Sequence, residues 1–547
     1  MKHYFQKLTE TVRAHWNSPA LSDFRGKSWT YGEMAAAIET LHLAFRKAGL
    51  VKGDKVALCA GNSAHWAQSY LAIVTYGTVA VPILPNFTPE GITHLVDHSE
   101  SVLLLADPSI AKTLDFDGMP HLKAVLSAED FSVLKRRDEA VVAAIDSRKE
   151  LFAAAHPNGF HPEDVAYPTD NDDDLAVVNY TSGTTSAPKG VMLCHRGFTH
   201  MIEFAQTRIP VEAGEHIVSM LPMAHMYGLA FELLYPVISG VTVHYLGKMP
   251  SPSTLMAAMA EIRPYIVITV PLVMEKIYRT KLRPALSKPV VRFLMALPVI
   301  GSLLRRKVRR SLMAAFGGNI RHFVMGGAPL NPEAEACFRK IGLPYTVGYG
   351  MTEACPLLAY EDWRRYAQGS CGKPIDCDEM RIDSPDPIRV VGEIQAKGPN
   401  VCLGYFKDPA ATAALFTPDG FLRTGDLGHF DRKGNVFICG RSKNMILSAT
   451  GQNIYPEEIE AVVNQQDFVV ESVVVSRDTR LVARVFFDED ALAKAGLSEA
   501  DIAALPEKIR EAVNASMPGY SKLAAVERNP SPFEKTPKMS IKRFLYT

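Results

Sequence analysis

The stretch "NYTSGTTSAPKGVML", from Asn179 to Leu193, guides the interpretation of the whole chain. It continues an apolar run, "LAVVNY", of the kind that forms a buried strand. The loop that follows contains three threonines, two serines, two glycines and one lysine, Lys189. Backbone N–H groups, hydroxyls and an ammonium group are what a polyphosphate requires, and glycine lets the backbone approach it closely. The stretch therefore predicts a phosphate-binding loop.

This loop is not a Walker A loop, because Lys189 is followed by Gly190 and Val191 instead of serine or threonine. Nearly letter for letter, it resembles the phosphate loop of the superfamily of AMP-forming acyl-CoA synthetases, luciferases and non-ribosomal adenylation domains. The resemblance implies a catalytic role for Lys189. It also implies ATP contacts by Thr181, Ser182, Gly183, Thr184 and Thr185.

Further blocks of that superfamily follow in order. "GGAPL", residues 326–330, resembles the backbone lining of the adenine pocket, and "GYGMTEACP", residues 348–356, resembles the block that stacks on adenine and holds magnesium. A carboxylate is a suitable ligand there, since Mg²⁺ prefers one or two carboxylates together with phosphate oxygens. The resemblance assigns the magnesium-binding and catalytic role to Glu353, and nucleotide contacts to Gly327, Ala328, Pro329, Tyr349, Gly350 and Thr352.

Two blocks near residue 440 complete the nucleotide site that the resemblance implies. "FLRTGDLG", residues 421–428, matches the family's ribose-binding aspartate at Asp426, and one carboxylate can accept from both ribose hydroxyls. "GRSKNMILSATGQNIYPEEIE", residues 440–460, matches a second ribose or phosphate contact at Arg441 and the hinge between domains at Lys443.

The chain of 547 residues is too long for a single core. Buried-strand patterns such as "DKVALCA", "VAVPIL" and "SVLLLAD" alternate with amphipathic helices, which indicates parallel sheets covered by helices. In the last hundred residues, two strand patterns precede the helix pattern "SEADIAALPEKIREAVNASM", which begins with a capping signal. The expected fold is α/β, with a large N-terminal domain of layered sheets and helices (1–442) and a small mobile α+β C-terminal domain (443–547).

The chemistry that the resemblance implies has two steps, with ATP, Mg²⁺ and CoA as cofactors. A carboxylate attacks the α-phosphate of ATP, which gives acyl-AMP and pyrophosphate. The small domain then rotates, and a thiol displaces AMP. A free carboxylate acylates poorly, whereas AMP is a good leaving group.

The block "LPMAHMYGLAFELL", residues 221–234, resembles the acyl-pocket block of fatty acyl-CoA synthetases. It assigns the mouth of the acyl pocket to His225 and includes Tyr227 and Gly228 in the pocket. The alternative for His225 is a histidine that only caps a helix. Amino-acid-activating relatives have an aspartate nearby, but none occurs here between Asp174 and Asp362, and Glu232 is the only acid in the block. We therefore expect an uncharged tail, that of a medium- or long-chain fatty acid.

Two alternatives remain open at this point. An acyl carrier protein has the same thiol arm as CoA, so the motifs hardly distinguish these two acceptors. A protein that binds acyl nucleotides or lipids but has lost turnover is the other alternative, and the presence of Lys189, Glu353, Asp426 and Arg441 argues against it.

The C-terminal segment "EKTPKMSIKR", residues 534–543, departs from the family pattern Pro-Lys-Thr-x-x-Gly-Lys. Alignment puts Met539 on the glycine and Ser540 on the catalytic lysine. Serine cannot supply a positive charge between two anions, so either adenylation is weakened or a neighbouring residue substitutes. Lys538 is two residues away and on the same side of an extended segment, so it is the predicted substitute.

The composition of the chain bears on nucleic-acid binding, cellular location and membrane contact. The 59 basic and 59 acidic residues balance, which argues against a nucleic-acid binder. Eight scattered cysteines and an N-terminus without a signal-peptide pattern predict a cytoplasmic protein. Residues 288–310 are basic and apolar and include "FLMALPVIGSLL"; they indicate either a peripheral membrane contact or a surface helical hairpin broken at Pro298 and Gly301.

Overall fold

The computed structural model describes residues 1–169, 171–181, 188–247, 252–447, 452–477, 480–537 and 540–546. Two large sheets with mainly parallel strands form the centre of the N-terminal region. The first sheet has the spatial order Gly404–Tyr405, Lys189–Cys194, Leu175–Thr181, Val79–Pro82, Lys55–Cys59, Ser101–Ala106, Ala124–Ser127 and Val133–Arg136. The second sheet has the order Tyr345–Val347, His322–Met325, Ile266–Thr269, His216–Ser219, Thr242–Tyr245, Pro19–Asp23 and Ser28–Thr30.

The apolar runs of the sequence form the central strands of the first sheet. Lys55–Cys59, Val79–Pro82 and Ser101–Ala106 are almost entirely buried, as predicted. Helices cover both faces of such sheets, so these strands lack the alternation of a half-exposed strand. The α-helices up to residue 341 are Tyr4–Ala14, Tyr31–Lys47, Ala64–Tyr76, Pro89–His98, Pro108–Ala111, Glu139–Asp146, Arg148–Ala155, His195–Arg208, Met226–Gly228, Tyr235–Ile238, Pro252–Ile262, Pro271–Ile277, Arg283–Leu286, Pro289–Ala296, Pro298–Ala315 and Pro332–Ile341.

Local signals in the sequence account for the ends of these helices. The helix Tyr31–Lys47 begins with a capping box, in which Thr30 and Glu33 each bond the other's backbone N–H, and it ends before Gly49, whose φ is 73°. Leu229–Leu234 and Tyr278–Leu282 are π-helical, and 3₁₀ turns lie at Pro162–Asp164, Thr352–Ala354, Ser442–Asn444, Gly519–Ser521 and Arg543–Leu545.

Two antiparallel sheets follow the second large sheet. One contains Tyr349–Gly350, Leu357–Tyr360 and Lys373–Pro374; the other contains Glu379–Asp383, Gly392–Lys397, Leu422–Phe430 and Val436–Arg441, with the helix Pro409–Leu415 between its strands in sequence. In the latter sheet, Leu422–Phe430 pairs with Val436–Arg441, and this register sets Asp426 opposite Arg441.

The C-terminal part has a hydrophobic core of its own, in which Ile459, Val485 and Val513 are buried together. Its helix Glu499–Ser516 begins with the predicted capping box, formed by Ser498 and Asp501. The layered α/β fold with a smaller α+β part is thus confirmed. The elements of this part are the strands Ile446–Leu447, Asn453–Ile454, Val469–Arg477, Arg480–Phe487 and Ala525–Arg528 and the helices Pro456–Val463, Glu489–Ala495 and Glu499–Ser516.

Residues 288–310 form two helices, Pro289–Ala296 and Pro298–Ala315. The predicted break before Pro298 is present, but the predicted break at Gly301 is wrong, since Gly301 lies inside the second helix. A Cβ atom at position 301 would clash with the carbonyl oxygen of Met295, so the glycine permits a close approach of the two helices. Among the described residues, no helix is both long enough and apolar enough to cross a bilayer.

Candidate functional site

Asp426 lies at the centre of a group of predicted nucleotide-binding residues. Its Oδ1 is 2.9 Å from Nε of Arg441, and its Oδ2 accepts a hydrogen bond from the Tyr349 hydroxyl at 2.7 Å. The carboxylate is almost fully buried, whereas Arg441 is exposed. The structure therefore brings together the residues predicted to contact adenine and ribose, although they come from three separate strands.

The buried environment of Asp426 shifts the pKa of its carboxyl group. Burial raises the pKa of its carboxyl group above the ordinary value, and the charge of Glu353 adds to the rise. The Arg441 guanidinium and the hydrogen bond from Tyr349 oppose it. The predicted magnesium ligand Glu353 is therefore close enough to Asp426 to affect its charge.

Tyr405 contacts both Lys189 and Glu353. The Tyr405 hydroxyl donates to Oε1 of Glu353 at 2.9 Å, and Lys189 Nζ is 4.9 Å from the centre of the Tyr405 ring. Burial and the charge of Glu353 raise the pKa of the Tyr405 hydroxyl above its usual range, so it remains a donor. Tyr405 was not predicted from the sequence, where its only signal is the pair Gly404–Tyr405 ahead of a helix.

The phosphate loop joins two adjacent antiparallel strands of the first sheet. Thr181 pairs with Lys189 at the loop end of the hairpin, and the Thr181 hydroxyl lies 3.4 Å from the Lys189 carbonyl oxygen. The predicted contacts Ser182, Gly183, Thr184 and Thr185 lie outside the described residues.

The "GGAPL" loop follows the strand His322–Met325 and adjoins the "GYGMTEACP" block. Gly348 N–H donates to the Met325 carbonyl oxygen at 2.8 Å, which links the two blocks. Gly327 has a φ of 84°, a conformation that favours glycine, and it is exposed together with Ala328 and Pro329. These three residues therefore present their backbone at the end of the second sheet.

Gly350 and Thr352 lie on the segment that leads to Glu353, Gly350 at the end of a short strand and Thr352 in the 3₁₀ turn. A Cβ atom at position 350 would clash with the carbonyl oxygen of Pro356, so a packing requirement also explains this glycine. Thr352 is buried and begins the 3₁₀ turn that carries Glu353. The predicted contacts of both residues with the nucleotide remain predictions.

The predicted acyl-pocket residues lie at the carboxyl end of the strand His216–Ser219. His225 caps the short helix that follows, with Nδ1 accepting from Tyr227 N–H at 3.2 Å, as in the alternative interpretation of this histidine. The Tyr227 hydroxyl donates to the Val324 carbonyl oxygen at 3.2 Å. A side chain at Gly228 would clash with the Pro222 carbonyl oxygen. The block therefore lies against the strand that carries the "GGAPL" loop.

Glu232 is a second residue whose role the sequence did not indicate. It is fully buried, and its carboxylate accepts from the backbone N–H groups of Met220 and Leu221, at 3.0 and 2.8 Å, and from the Ser219 hydroxyl at 2.9 Å. Burial raises the pKa of Glu232 to about 8, while these hydrogen bonds oppose the rise. Glu232 thus fixes the loop that leads into the acyl block.

Lys443 is exposed in the 3₁₀ turn directly after the strand of Arg441. In sequence, Lys443 lies between the strand Val436–Arg441 and the strand Ile446–Leu447 of the C-terminal part. The C-terminal part also contacts the N-terminal region through Arg279, which donates to the carbonyl oxygens of Val469 and Asn464 at 2.9 and 3.1 Å. Its role as a hinge remains a prediction.

The C-terminal segment packs on its own domain. Thr536 N–H donates to the Ser540 carbonyl oxygen at 2.8 Å, and Ser540 is exposed. Lys535 pairs with Glu471 at 2.6 Å, and Arg543 pairs with Glu460. Lys538 lies outside the described residues.

The residues present fit a magnesium ion that is shared with a nucleotide. Glu353 supplies one buried carboxylate, and Tyr405, whose hydroxyl it accepts from, also contacts the ammonium group of Lys189 with its ring. The described ranges contain no group of three or more His, Cys, Asp or Glu residues that could hold a metal without help. Since Mg²⁺ is often bound by one carboxylate, water and phosphate oxygens, phosphates would provide the remaining ligands.

Comparison with protein families identifies the chain. The family model described as "AMP-binding enzyme" matches residues 8–406, and that described as "AMP-binding enzyme C-terminal domain" matches residues 443–546. The chain belongs to the AMP-binding enzyme family. The predictions of this superfamily, of an AMP-forming ligase and of ATP, Mg²⁺ and CoA as its cofactors are thereby confirmed.

Alignments with individual members of the family cover most of the chain. A long-chain-fatty-acid–CoA ligase, FadD15, from Mycobacterium bovis is 30% identical, and the alignment covers 88% of this chain and 82% of the relative. The long-chain-fatty-acid–[acyl-carrier-protein] ligase AEE15 of Arabidopsis thaliana is 25% identical, over 83% of this chain and 72% of the relative. ATP-bound MatB from Rhodopseudomonas palustris shares the fold, with a TM-score of 0.78 and 23% identity over 100% of this chain and 98% of that one.

Proposed function

We propose that this AMP-binding enzyme activates a medium- or long-chain fatty acid with ATP and transfers the acyl group to CoA, giving acyl-CoA, AMP and pyrophosphate. The contacts of Glu232 are the observation that supports an uncharged acyl tail. This only acid of the acyl block is fully buried and accepts from backbone N–H groups, so it cannot hold a substrate ammonium as an amino-acid-binding aspartate would. The long-chain-fatty-acid–CoA ligase of M. bovis supports the same class.

The described residues divide the work of the first step. Asp426 would hold the ribose hydroxyls, supported by Arg441, and Tyr349 would stack on adenine. Lys189 would place its ammonium beside the phosphates, and Glu353 would hold Mg²⁺, which when bound neutralises phosphate charge. Positioning and charge neutralisation supply most of the rate in attack at phosphorus. Rotation of residues 443–547 about Lys443 would then admit the thiol.

The proposed acyl acceptor, CoA, can be tested by direct competition with an acyl carrier protein. With preformed acyl-AMP, we expect CoA to be acylated at least about tenfold faster than a holo acyl carrier protein at equal concentration, a difference of about 1.4 kcal/mol in the barrier. A faster reaction with the carrier protein would contradict CoA as the acceptor and favour the activity named for the A. thaliana relative.

The two helices within residues 288–315 form the proposed contact with an anionic membrane. Val290, Phe293, Val299 and Leu303 are 69%, 67%, 72% and 61% exposed. Exposed basic residues share these helices or flank them, namely Lys288, Arg292, Arg306, Lys307 and Arg310. Apolar side chains beside basic ones are typical of helices that lie in the interface of a bilayer, where a fatty acid is also concentrated.

Replacing Arg306 and Lys307 by glutamate should lower binding to phosphatidylglycerol vesicles at least tenfold, since each basic residue near an anionic surface contributes about 1 kcal/mol. Co-sedimentation measures this effect. The matched control changes Arg432 and Lys433, an exposed basic pair in a distant turn, and should bind as wild type does. Equal binding of the wild type to anionic and to phosphatidylcholine vesicles would contradict the proposed contact.

A further inference from the structure

Tyr405 connects two predicted catalytic side chains that come from different segments of the chain. Its hydroxyl donates to Oε1 of Glu353 at 2.9 Å, and the face of its ring lies 4.9 Å from Nζ of Lys189. A phenol that bonds a carboxylate restricts its orientation, and an aromatic face attracts an ammonium group. One side chain thus contacts both charged groups.

The backbone around Tyr405 is held from both sides. Cys402 N–H donates to the Glu353 carbonyl oxygen at 2.8 Å, on the side of the carboxylate. On the side of the phosphate loop, Tyr405 pairs with Val191, and Phe406 N–H donates to the Gly190 carbonyl oxygen at 2.7 Å. The short strand Gly404–Tyr405 therefore fixes the distance between the segment of Lys189 and that of Glu353.

We infer that Tyr405 is a positioning residue for the magnesium and phosphate site, orienting the Glu353 carboxylate with its hydroxyl and the Lys189 ammonium with its ring. The inference deepens the proposed function and rests on it for the role of Glu353 as magnesium ligand. Partners that orient a metal ligand commonly contribute 10- to 100-fold in metal affinity or activity. Tyr405 would do so without contacting the metal or the substrate.

The two functions of the side chain can be separated by substitution. Tyr405→Phe removes the hydroxyl and keeps the ring, so it should weaken metal binding about tenfold and leave the KM for the fatty acid unchanged. Tyr405→Leu removes both and should in addition raise the KM for ATP. Metal binding is measured without turnover, from the electron paramagnetic resonance of Mn²⁺ titrated into enzyme and ATP in the absence of fatty acid.

Tyr345→Phe is the matched control, because the buried Tyr345 hydroxyl also donates to a glutamate, Glu335, at 3.2 Å, and Glu335 is not a predicted metal ligand. An unchanged Mn²⁺ affinity of Tyr405→Phe, or an equal loss in the control, would overturn the inference. Wild type that binds Mn²⁺ and ATP but activates no fatty acid would instead overturn the proposed substrate, while the titration still decides the role of Tyr405. Wild type that binds no Mn²⁺ with ATP would overturn both.

Discussion

Replacing Asp426 by alanine is expected to raise the KM for ATP about 100-fold in ATP–pyrophosphate exchange. The change would remove the predicted hydrogen bonds to two ribose hydroxyls, and bonds to a charged group contribute about 1.5–3 kcal/mol each. It also leaves Arg441 and the buried Tyr349 hydroxyl without their carboxylate partner. Both losses act on nucleotide binding, so the KM for the fatty acid should change little.

Two further variants separate the ribose contact from a loss of folding. Asp426→Asn keeps the volume of the side chain, but its amide has only one oxygen that can accept hydrogen bonds. It should therefore show most of the same increase in the KM for ATP. Asp23→Ala removes a half-buried carboxylate that accepts from Ala64 N–H at 2.9 Å in another sheet, and its KM for ATP should equal that of wild type. An unchanged KM in Asp426→Ala with an unchanged melting temperature would refute the ribose assignment.

Replacing Lys538 by alanine is expected to lower ATP–pyrophosphate exchange about 100-fold, the size of effect seen when one donor to a developing charge is removed. Ser540 stands where the family has its lysine, so either adenylation is weakened or another cation lies between the carboxylate and the phosphate. Acyl transfer from preformed acyl-AMP to CoA should keep its rate, because that step follows adenylation. Ser540→Lys should raise the exchange rate and restore it in the double variant.

Lys542 provides the control for the C-terminal segment. It has the same parity as Lys538 but pairs with Glu534 at 3.4 Å, so Lys542→Ala should leave pyrophosphate exchange unchanged. Equal exchange rates in wild type and Lys538→Ala would eliminate Lys538 as the substitute. An unchanged rate in Ser540→Lys would mean that position 540 no longer enters the active site.

Much of the fold follows from local features of the sequence. Apolar runs such as Lys55–Cys59 form buried strands, and capping signals at Thr30 and Ser498 begin helices where predicted, because these features act within a few residues. Gly301 was misread as a helix break. A glycine is required at this position because the Met295 carbonyl oxygen of the neighbouring helix lies very close to it. Such a tertiary contact cannot be predicted from the local sequence pattern.

The site residues that lie in family motifs could be predicted from the sequence. The resemblance assigned Tyr349, Asp426 and Arg441 to one nucleotide, and the structure joins these side chains directly. Tyr405 and Glu232 were not assigned, because their contacts depend on strand register and on burial. Tyr405 is 52 residues from Glu353, and Glu232 reaches back to a loop 11 residues earlier.

The most direct test of the central claim is ATP- and CoA-dependent release of AMP by the wild-type enzyme with saturated fatty acids of graded length, with amino acids as the comparison. The account predicts stoichiometric acyl-CoA and AMP, a kcat/KM that rises from short acids to a maximum among medium or long chains, and no activity with amino acids. Activity with amino acids but not with fatty acids, or ATP binding without AMP release for any acid, would contradict it.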